Sequence, residues 1–334
     1  MKAILPLLLM IAAVSDGTCL AQNTRFRYIR LGSDKDVGPR ANFGLALMGG
    51  GSDLDEAFRW LCNNGRGGDF LILRATGNDS YNAYVKALCR ANSVATLIIP
   101  NRASAQQSAV ADIIRKAEVV FIAGGDQANY TRNWTDTPVE DALNQNIAAG
   151  KPIGGTSAGL AVLGEYTYSA EGDKPDDADL TSPQVLADPF NRRLALRRHF
   201  LNIDLLANTL TDTHFAKRDR MGRSIAFLAR IVADGWSAKP REVAVDEKSA
   251  VLVERSGRAR VIGSGQGAYF VSPQTIPEDC HQGTPLTFRD IAVYHAPVGS
   301  EFNLKQWRGT GGGSYSLSVI SGRVQSTQAG GEVY

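Results

Sequence analysis

Residues 43–48 read Phe-Gly-Leu-Ala-Leu-Met, residues 70–75 Phe-Leu-Ile-Leu-Arg-Ala and residues 94–100 Val-Ala-Thr-Leu-Ile-Ile-Pro. Each run is short and apolar at consecutive positions, as in a strand covered on both faces. The segments between them, Asp53 to Cys62 and Tyr81 to Arg90, are amphipathic at helical spacing. Strand and helix in strict alternation predict a parallel sheet flanked by helices, an α/β fold. Further along, the amphipathic stretch Ser104 to Lys116 leads into a strand at Val119 to Ala123. Val139 to Ala149 leads in the same way into the strand before Ser157.

Beyond that strand the pattern changes. The run from Ser169 to Thr181, with the core AEGDKPDDADLT, has no hydrophobic period and reads as a surface loop close to whatever Ser157 serves. The arginine-dense stretch Asn191 to His199 reads as a solvated helix face. From Arg241 onward the runs EVAVDE, AVLVE, ARVIG, AYFVS, IAVYH and YSLSVISG are β-like. They predict a mixed or antiparallel extension that completes the sheet or packs on its edge. The tail, with Gly309 to Gly313 and Gly330 to Gly331, reads as flexible. There is no internal repeat and no linker that would split the chain.

The N-terminus has the order of an export signal. Lys2 supplies a positive start, Ile4 to Val14 is an apolar run too short to span a bilayer, and Cys19-Leu20-Ala21 is a small-residue cleavage site. A lipid-anchored Cys19 is the alternative, but Asp16, Gly17 and Thr18 make a poor lipobox. The expected organisation is a signal peptide over 1–21, an α/β domain over 40–272, and a β-rich extension with flexible tail over 273–334. The mature protein is expected to be secreted or periplasmic, with no membrane partner. Its composition, 43% hydrophobic with a formal net charge of +2, points to no nucleic-acid partner and sets no oligomeric state. Cleavage leaves Cys62, Cys89 and Cys280. Pairing of Cys62 with Cys89 in an oxidising compartment would contribute roughly 3.5 kcal/mol by loop closure, and three buried thiols are the competing reading.

The strongest chemical signal is Gly154-Gly155-Thr156-Ser157-Ala158-Gly159. It contains GxSxG directly after a strand and before a helical run, where small neighbours let the backbone turn sharply and lift the serine hydroxyl above the sheet edge. The helix start also offers backbone N–H groups and a positive dipole end to an oxyanion. A phosphate cradle or a simple N-cap is the bland reading of such a turn. A second glycine turn, Ala123-Gly124-Gly125-Asp126-Gln127, follows its own strand. Ligands gather at the carboxyl ends of parallel strands, so both turns can face one crevice. The N–H groups of Gly125 and Ala158 are the expected oxyanion donors. Gln127 is an expected polar contact to substrate, and Asp126 alternatively caps the next helix. A third turn, Met48-Gly49-Gly50-Gly51-Ser52-Asp53, is weak alone and lacks dinucleotide-binding spacing.

A serine nucleophile needs a base, and the four histidines are His199, His214, His281 and His295. His214 stands in a polar stretch between two elements, which suits a site residue. His199 reads as a surface residue and His295 as packed in a strand. Cys280-His281 has no matching pair for a metal site. Asp212, Glu242, Asp246 and Glu247 are all candidates to orient the base, and spacing alone does not choose among them.

AGGDQ, GGTSAG, DTHFAKRDRMGR and VDEKSA occur in this order between Phe43 and Glu254. Together they make the chain resemble cyanophycinase and its relatives, which include the aspartyl dipeptidases called peptidase E. The resemblance implies a flavodoxin-like or class I glutamine-amidotransferase-like fold with a Ser-His-acid site. By it, Ser157 matches the nucleophile, His214 the histidine and Glu247 the acidic partner. Asp126, Gln127, Arg218, Arg220 and Arg223 fall where family members line the substrate pocket. The implied activity is serine-type hydrolysis of cyanophycin to β-aspartyl-arginine dipeptides through an acyl-enzyme, with no metal or organic cofactor. Two alternatives stay open: an exopeptidase for small aspartyl or isoaspartyl peptides, and a catalytically silent relative that binds peptide. The export signal and the β-rich region after Ser256 depart from what the motifs explain.

Overall fold

The computed structural model describes residues 25–174 and 177–334, so the signal expected over 1–21 lies outside the described residues. Among the described residues no helix is long and apolar enough to cross a membrane.

Two sheets carry the fold. In the ten-stranded sheet the strands run in the order Arg27–Gly32, Ser93–Ile98, Phe70–Arg74, Val119–Ile122, Ile153–Thr156, Leu45–Met48, Ser249–Val253, Arg258–Gly263, Glu301–Asn303 and Arg308–Thr310. The five from Ser93–Ile98 to Leu45–Met48 pair in parallel, as the alternation of strand and helix predicts. The eight-stranded sheet runs Arg323–Ser326, Gly313–Ile320, Phe288–Ala296, Ala268–Pro273, Arg241–Val245, Thr209–Asp212, Tyr166–Tyr168 and Leu196–Arg198. Its Arg241–Val245, Thr209–Asp212 and Tyr166–Tyr168 strands are parallel neighbours.

Side-chain alternation sorts these strands into layers. Leu45 and Leu47 of one strand, Val243 and Val245 of another, and Phe270 share one core with the helices Ser108–Lys116 and Pro138–Ala148. Ala46 and Met48 face the opposite side of the first sheet, against Phe58 and Leu61 of the helix Asp55–Gly65. Ala244, Tyr269 and Val271 face the far side of the second sheet, against the helix Met221–Ala233. The order is helices, sheet, shared core, sheet, helix.

Four sequence expectations change. The stretch Ser104 to Lys116 is two helices, Arg102–Ala105 and Ser108–Lys116, because Gln107 between them is extended. The arginine stretch is no helix face: Leu196–Arg198 is a strand pairing with Tyr166–Tyr168. Its guanidiniums have found carboxylates on the polar run, Arg193 with Asp173 at 2.6 Å and Arg197 with Glu171 at 2.6 Å. The boundary expected at 272/273 falls inside the strand Ala268–Pro273, and strands from both sides of it enter both sheets. The tail expected to be flexible is docked. The Tyr334 hydroxyl accepts the Met221 N–H at 2.9 Å and donates to Asp219 at 3.0 Å, with its ring edge-on to Phe215 and Tyr269.

Cys62 and Cys89, at the ends of two neighbouring helices, form a disulfide with Cα atoms 5.8 Å apart. Cys280 is a buried free thiol.

Candidate active site

The strand Ile153–Thr156 ends at Ser157, whose backbone sits at φ 52° and ψ −122°. This is outside the ordinary regions for a residue with a Cβ, and such strain persists only where the surroundings impose it. They do so here by close approach. A Cβ on Gly159 would lie 1.9 Å from the Ile122 carbonyl oxygen, so only glycine lets the turn pack against the neighbouring strand. The Ser157 N–H is tied to the Met48 carbonyl at 3.2 Å. The helix that follows is one turn, Ala158–Ala161, so the dipole expected from the sequence is small, and local N–H groups are what this elbow offers an anion.

Ser157 Oγ lies 2.7 Å from His214 Nε2, and His214 Nδ1 lies 2.7 Å from Glu247 Oε1. With Nδ1–H donating to Glu247, Nε2 is the acceptor for the serine proton, the tautomer a general base needs. His214 follows the strand Thr209–Asp212 and Glu247 follows Arg241–Val245, two parallel neighbours of the second sheet. Ser157 follows a parallel strand of the first sheet. The three side chains therefore meet where the carboxyl ends of both sheets' parallel strands converge, the position at which open α/β sheets place ligands.

Burial pushes the His214 imidazole below its ordinary value, the hydrogen bond to Glu247 opposes this, and Arg218 and Arg220 add to the lowering. The Glu247 carboxyl is lowered, chiefly by its hydrogen bond to His214. At neutral pH the site holds a neutral imidazole beside a carboxylate, ready to accept a proton.

The glycine turn over Met48 to Asp53, weak in the sequence, is the wall behind this constellation. The His214 N–H donates to the Gly49 carbonyl at 2.8 Å, and the Lys248 N–H donates to the Gly50 carbonyl at 3.0 Å. One turn thus fixes the backbones of both the base and the residue beside its orienting acid. Three adjacent glycines at a strand end were the signal, and only the fold shows what they touch.

The other acids have separate partners. Asp212 is buried and takes both Arg223 Nε at 3.0 Å and Arg223 Nη2 at 2.6 Å. Glu242 accepts from Ser224 at 2.6 Å, and its buried second oxygen has no partner. Asp246 accepts the Lys217 N–H at 2.9 Å. His199 is exposed at 3.5 Å from Glu165, His295 stacks on Tyr269, and His281 is exposed.

A cavity of about 540 Å³ opens beside Ser157 and His214. Gly125, Asp126, Gln127, Ala158, Arg218, Arg220 and Arg223 all line it, so every site residue expected from the sequence except Glu247 reaches it. Asp126 also caps the helix Gln127–Trp134, accepting the Ala128 N–H at 2.9 Å. Residues Asp173, Asp177 and Asp179 of the polar run line the same cavity, so the loop expected near Ser157 borders it. Arg218 and Arg220 both reach Asp179, at 3.0 and 2.7 Å.

The sequence model described as peptidase family S51 matches residues 52–191, a stretch that ends before His214 and Glu247. A cyanophycinase of Trichormus variabilis is 29% identical over 223 residues, covering 65% of this chain and 67% of the relative. A cyanophycinase of Synechococcus elongatus is 28% identical over 216 residues, covering 63% and 60%. Among solved structures, a peptidase from an acI-B1 Actinobacterium is similar over 68% of this chain and 89% of its own, at 17% identity and a TM-score of 0.47. With the ordered motifs from Phe43 to Glu254, these likenesses support a serine-type peptidase of the cyanophycinase and peptidase E-like kind.

Proposed function

We propose that this peptidase hydrolyses cyanophycin to β-aspartyl-arginine dipeptides through an acyl-enzyme on Ser157. The observation that carries the reading is the chain of contacts from Ser157 Oγ to His214 to Glu247, standing on a strained elbow at the mouth of a cavity with both arginine and aspartate in its lining. Ser157 Oγ attacks the carbonyl carbon as its proton passes to His214 Nε2, and Glu247 steadies the imidazolium. The N–H groups of Gly125 and Ala158 receive the oxyanion. Collapse expels the amine, which takes the proton from Nε2, and water then repeats the sequence to release the acid and free Ser157. No step requires a metal or organic cofactor. A β-aspartyl-arginine unit carries a carboxylate and a guanidinium, and the cavity lining supplies arginines for the first and Asp126, Asp173 and Asp177 for the second.

The proposal includes export. Lys2 and the apolar run Ile4 to Val14 support it, and so does the Cys62–Cys89 bond, which belongs to an oxidising compartment. An enzyme outside the cell also meets a polymer that does not cross membranes. N-terminal sequencing of the protein recovered from the periplasm or medium checks this, with Gln22 expected as the first residue; recovery of the full-length chain from the cytoplasm would sink it.

The decisive experiment is mass spectrometry of products after incubating cyanophycin with the wild type and with Ser157→Ala. Release of β-aspartyl-arginine by the wild type, cut at least about ten-thousandfold in the variant, supports substrate and nucleophile together. Turnover of short aspartyl or isoaspartyl peptides without action on the polymer moves the assignment to a small-peptide exopeptidase. Binding of peptide without turnover of any substrate moves it to a silent relative.

A further inference from the structure

The arginines of the cavity are already holding a carboxylate, and it belongs to the chain. Arg218 Nη1 donates to Asp179 Oδ2 at 3.0 Å and Arg220 Nη2 donates to the same oxygen at 2.7 Å. Two guanidiniums converging on one carboxylate oxygen form the seat that a substrate carboxylate would use. Arg220 is itself buried, at 9% side-chain exposure, and its Nη1 is held by the Thr213 carbonyl at 3.0 Å, so this half of the seat is built into the fold, and the more exposed Arg218 completes it from the cavity rim. Asp179, by contrast, is 57% exposed, while the next residue, Leu180, is buried in the core. The main chain there is anchored, and the carboxylate is free to swing into solvent by rotation about its own side-chain bonds.

We propose that Asp179 is a resident carboxylate that occupies the Arg218 and Arg220 seat in the free enzyme and yields it to the carboxylate of an incoming aspartyl substrate. This deepens the β-aspartyl reading given above and rests on it for the identity of the substrate. Asp179 thereby sets affinity and selectivity. A ligand without a well-placed carboxylate gains nothing by entering, because it cannot replace the contacts that Asp179 gives up. A ligand with one exchanges a carboxylate for a carboxylate. Burial raises the Asp179 carboxyl, and the guanidiniums outweigh it, Arg220 most, holding it at about 2, so the competitor stays charged at every working pH. The apparent affinity of a seat that is open only part of the time is reduced by the open fraction, and neutralising the competitor removes that reduction.

The test uses succinate, a dicarboxylate without a scissile bond, titrated calorimetrically into full-length Ser157→Ala and into Ser157→Ala with Asp179→Asn. The resident-carboxylate role requires succinate to bind about five- to tenfold more tightly when Asp179 is neutral. In the active enzyme, Asp179→Asn should lower KM for cyanophycin by a similar factor, with the smaller change in kcat. If Asp179 instead holds the two arginines in place, the same substitution weakens succinate and raises KM, and that result, or an unchanged affinity, overturns the proposal. Asp179→Ala serves as the second variant should the asparagine protein fail to fold. Where the wild type turns over no β-aspartyl substrate but succinate still tightens, the substrate reading fails and the resident carboxylate stands.

Discussion

A Cβ added to Gly50 would sit 2.4 Å from Cε1 and 2.6 Å from Nε2 of His214. Gly50 also adopts φ +96°, a conformation that side-chain-bearing residues rarely take. The imidazole is thus seated against bare backbone, and its distance from Ser157 depends on a hydrogen atom standing where other residues carry a methyl.

Gly50→Ala is therefore expected to displace His214 and lower kcat by about a hundredfold, the cost of roughly 1 Å of misplacement at a reacting group. The fold should survive at reduced stability, since the strained backbone lies at the end of a strand and not within the sheet. Steady-state kinetics with circular dichroism on the same sample checks both halves. Unchanged kcat in a folded variant would mean that the turn does not seat the base.

The pH profile follows from the lowered imidazole. His214 must be unprotonated to act, and burial holds it below the ordinary histidine value, so activity persists into mildly acidic solution and falls only below that value. The acidic limb of kcat/KM should lie under the usual range. Glu247→Gln removes the charge that opposes the lowering, so it should move the limb lower still and cut kcat by up to about ten-thousandfold. A limb that moves upward in this variant would contradict the assigned partnership.

Glu242 offers a stability test away from the chemistry. Burial beside Asp212 raises its carboxyl well above the ordinary value, so the folded chain holds it neutral where the unfolded chain ionises it. Its folded value lies above its unfolded one. The contribution is complete below the unfolded pKa near 4.5 and is lost as pH rises through the folded value. Glu242→Gln does not titrate, and its melting temperature should exceed the wild type's by a margin that is smallest near pH 4 and grows with pH. Equal margins at pH 4 and pH 8 would show that the carboxyl is not held neutral.

The Cys62–Cys89 bond closes a 27-residue separation, for which loop closure gives about 3.5 kcal/mol. Replacing both cysteines by alanine is expected to lower denaturant-derived stability by about that amount, with little effect on kcat, since the bond lies apart from the cavity lining. Reductant should destabilise the wild type and leave the double variant unmoved.

The first half of the chain was legible because its strands are continuously apolar and its helices carry a clear period. Leu45–Met48, Phe70–Arg74 and Val119–Ile122 lie within the runs that announced them. Ser157 was visible because its chemistry demands small neighbours in fixed positions. The short strands Tyr166–Tyr168 and Leu196–Arg198 were not, since three residues cannot show a period and arginine mimics a helix surface. The helix Met221–Ala233 went unassigned although its sequence is amphipathic: its polar residues Arg223 and Ser224 are themselves buried, facing Asp212 and Glu242 and not solvent. Among four acids near one histidine, spacing could not select an orienting partner; in the structure Asp212, Asp246 and Glu242 hold Arg223, Lys217 and Ser224, and Glu247 stands beside the imidazole.

The nucleophile stands on one sheet and its base on the other, separated by 57 residues of chain. During synthesis Ser157 is made well before His214 and Glu247, and the first sheet itself is incomplete until Ser249–Val253 has joined Leu45–Met48, so a shorter nascent chain carries an alcohol with no base beside it. Hydrolytic power therefore arises with the docking of the two sheets and vanishes when they part. Refolding experiments should see activity return with the last phase of tertiary assembly and not with the first burst of secondary structure.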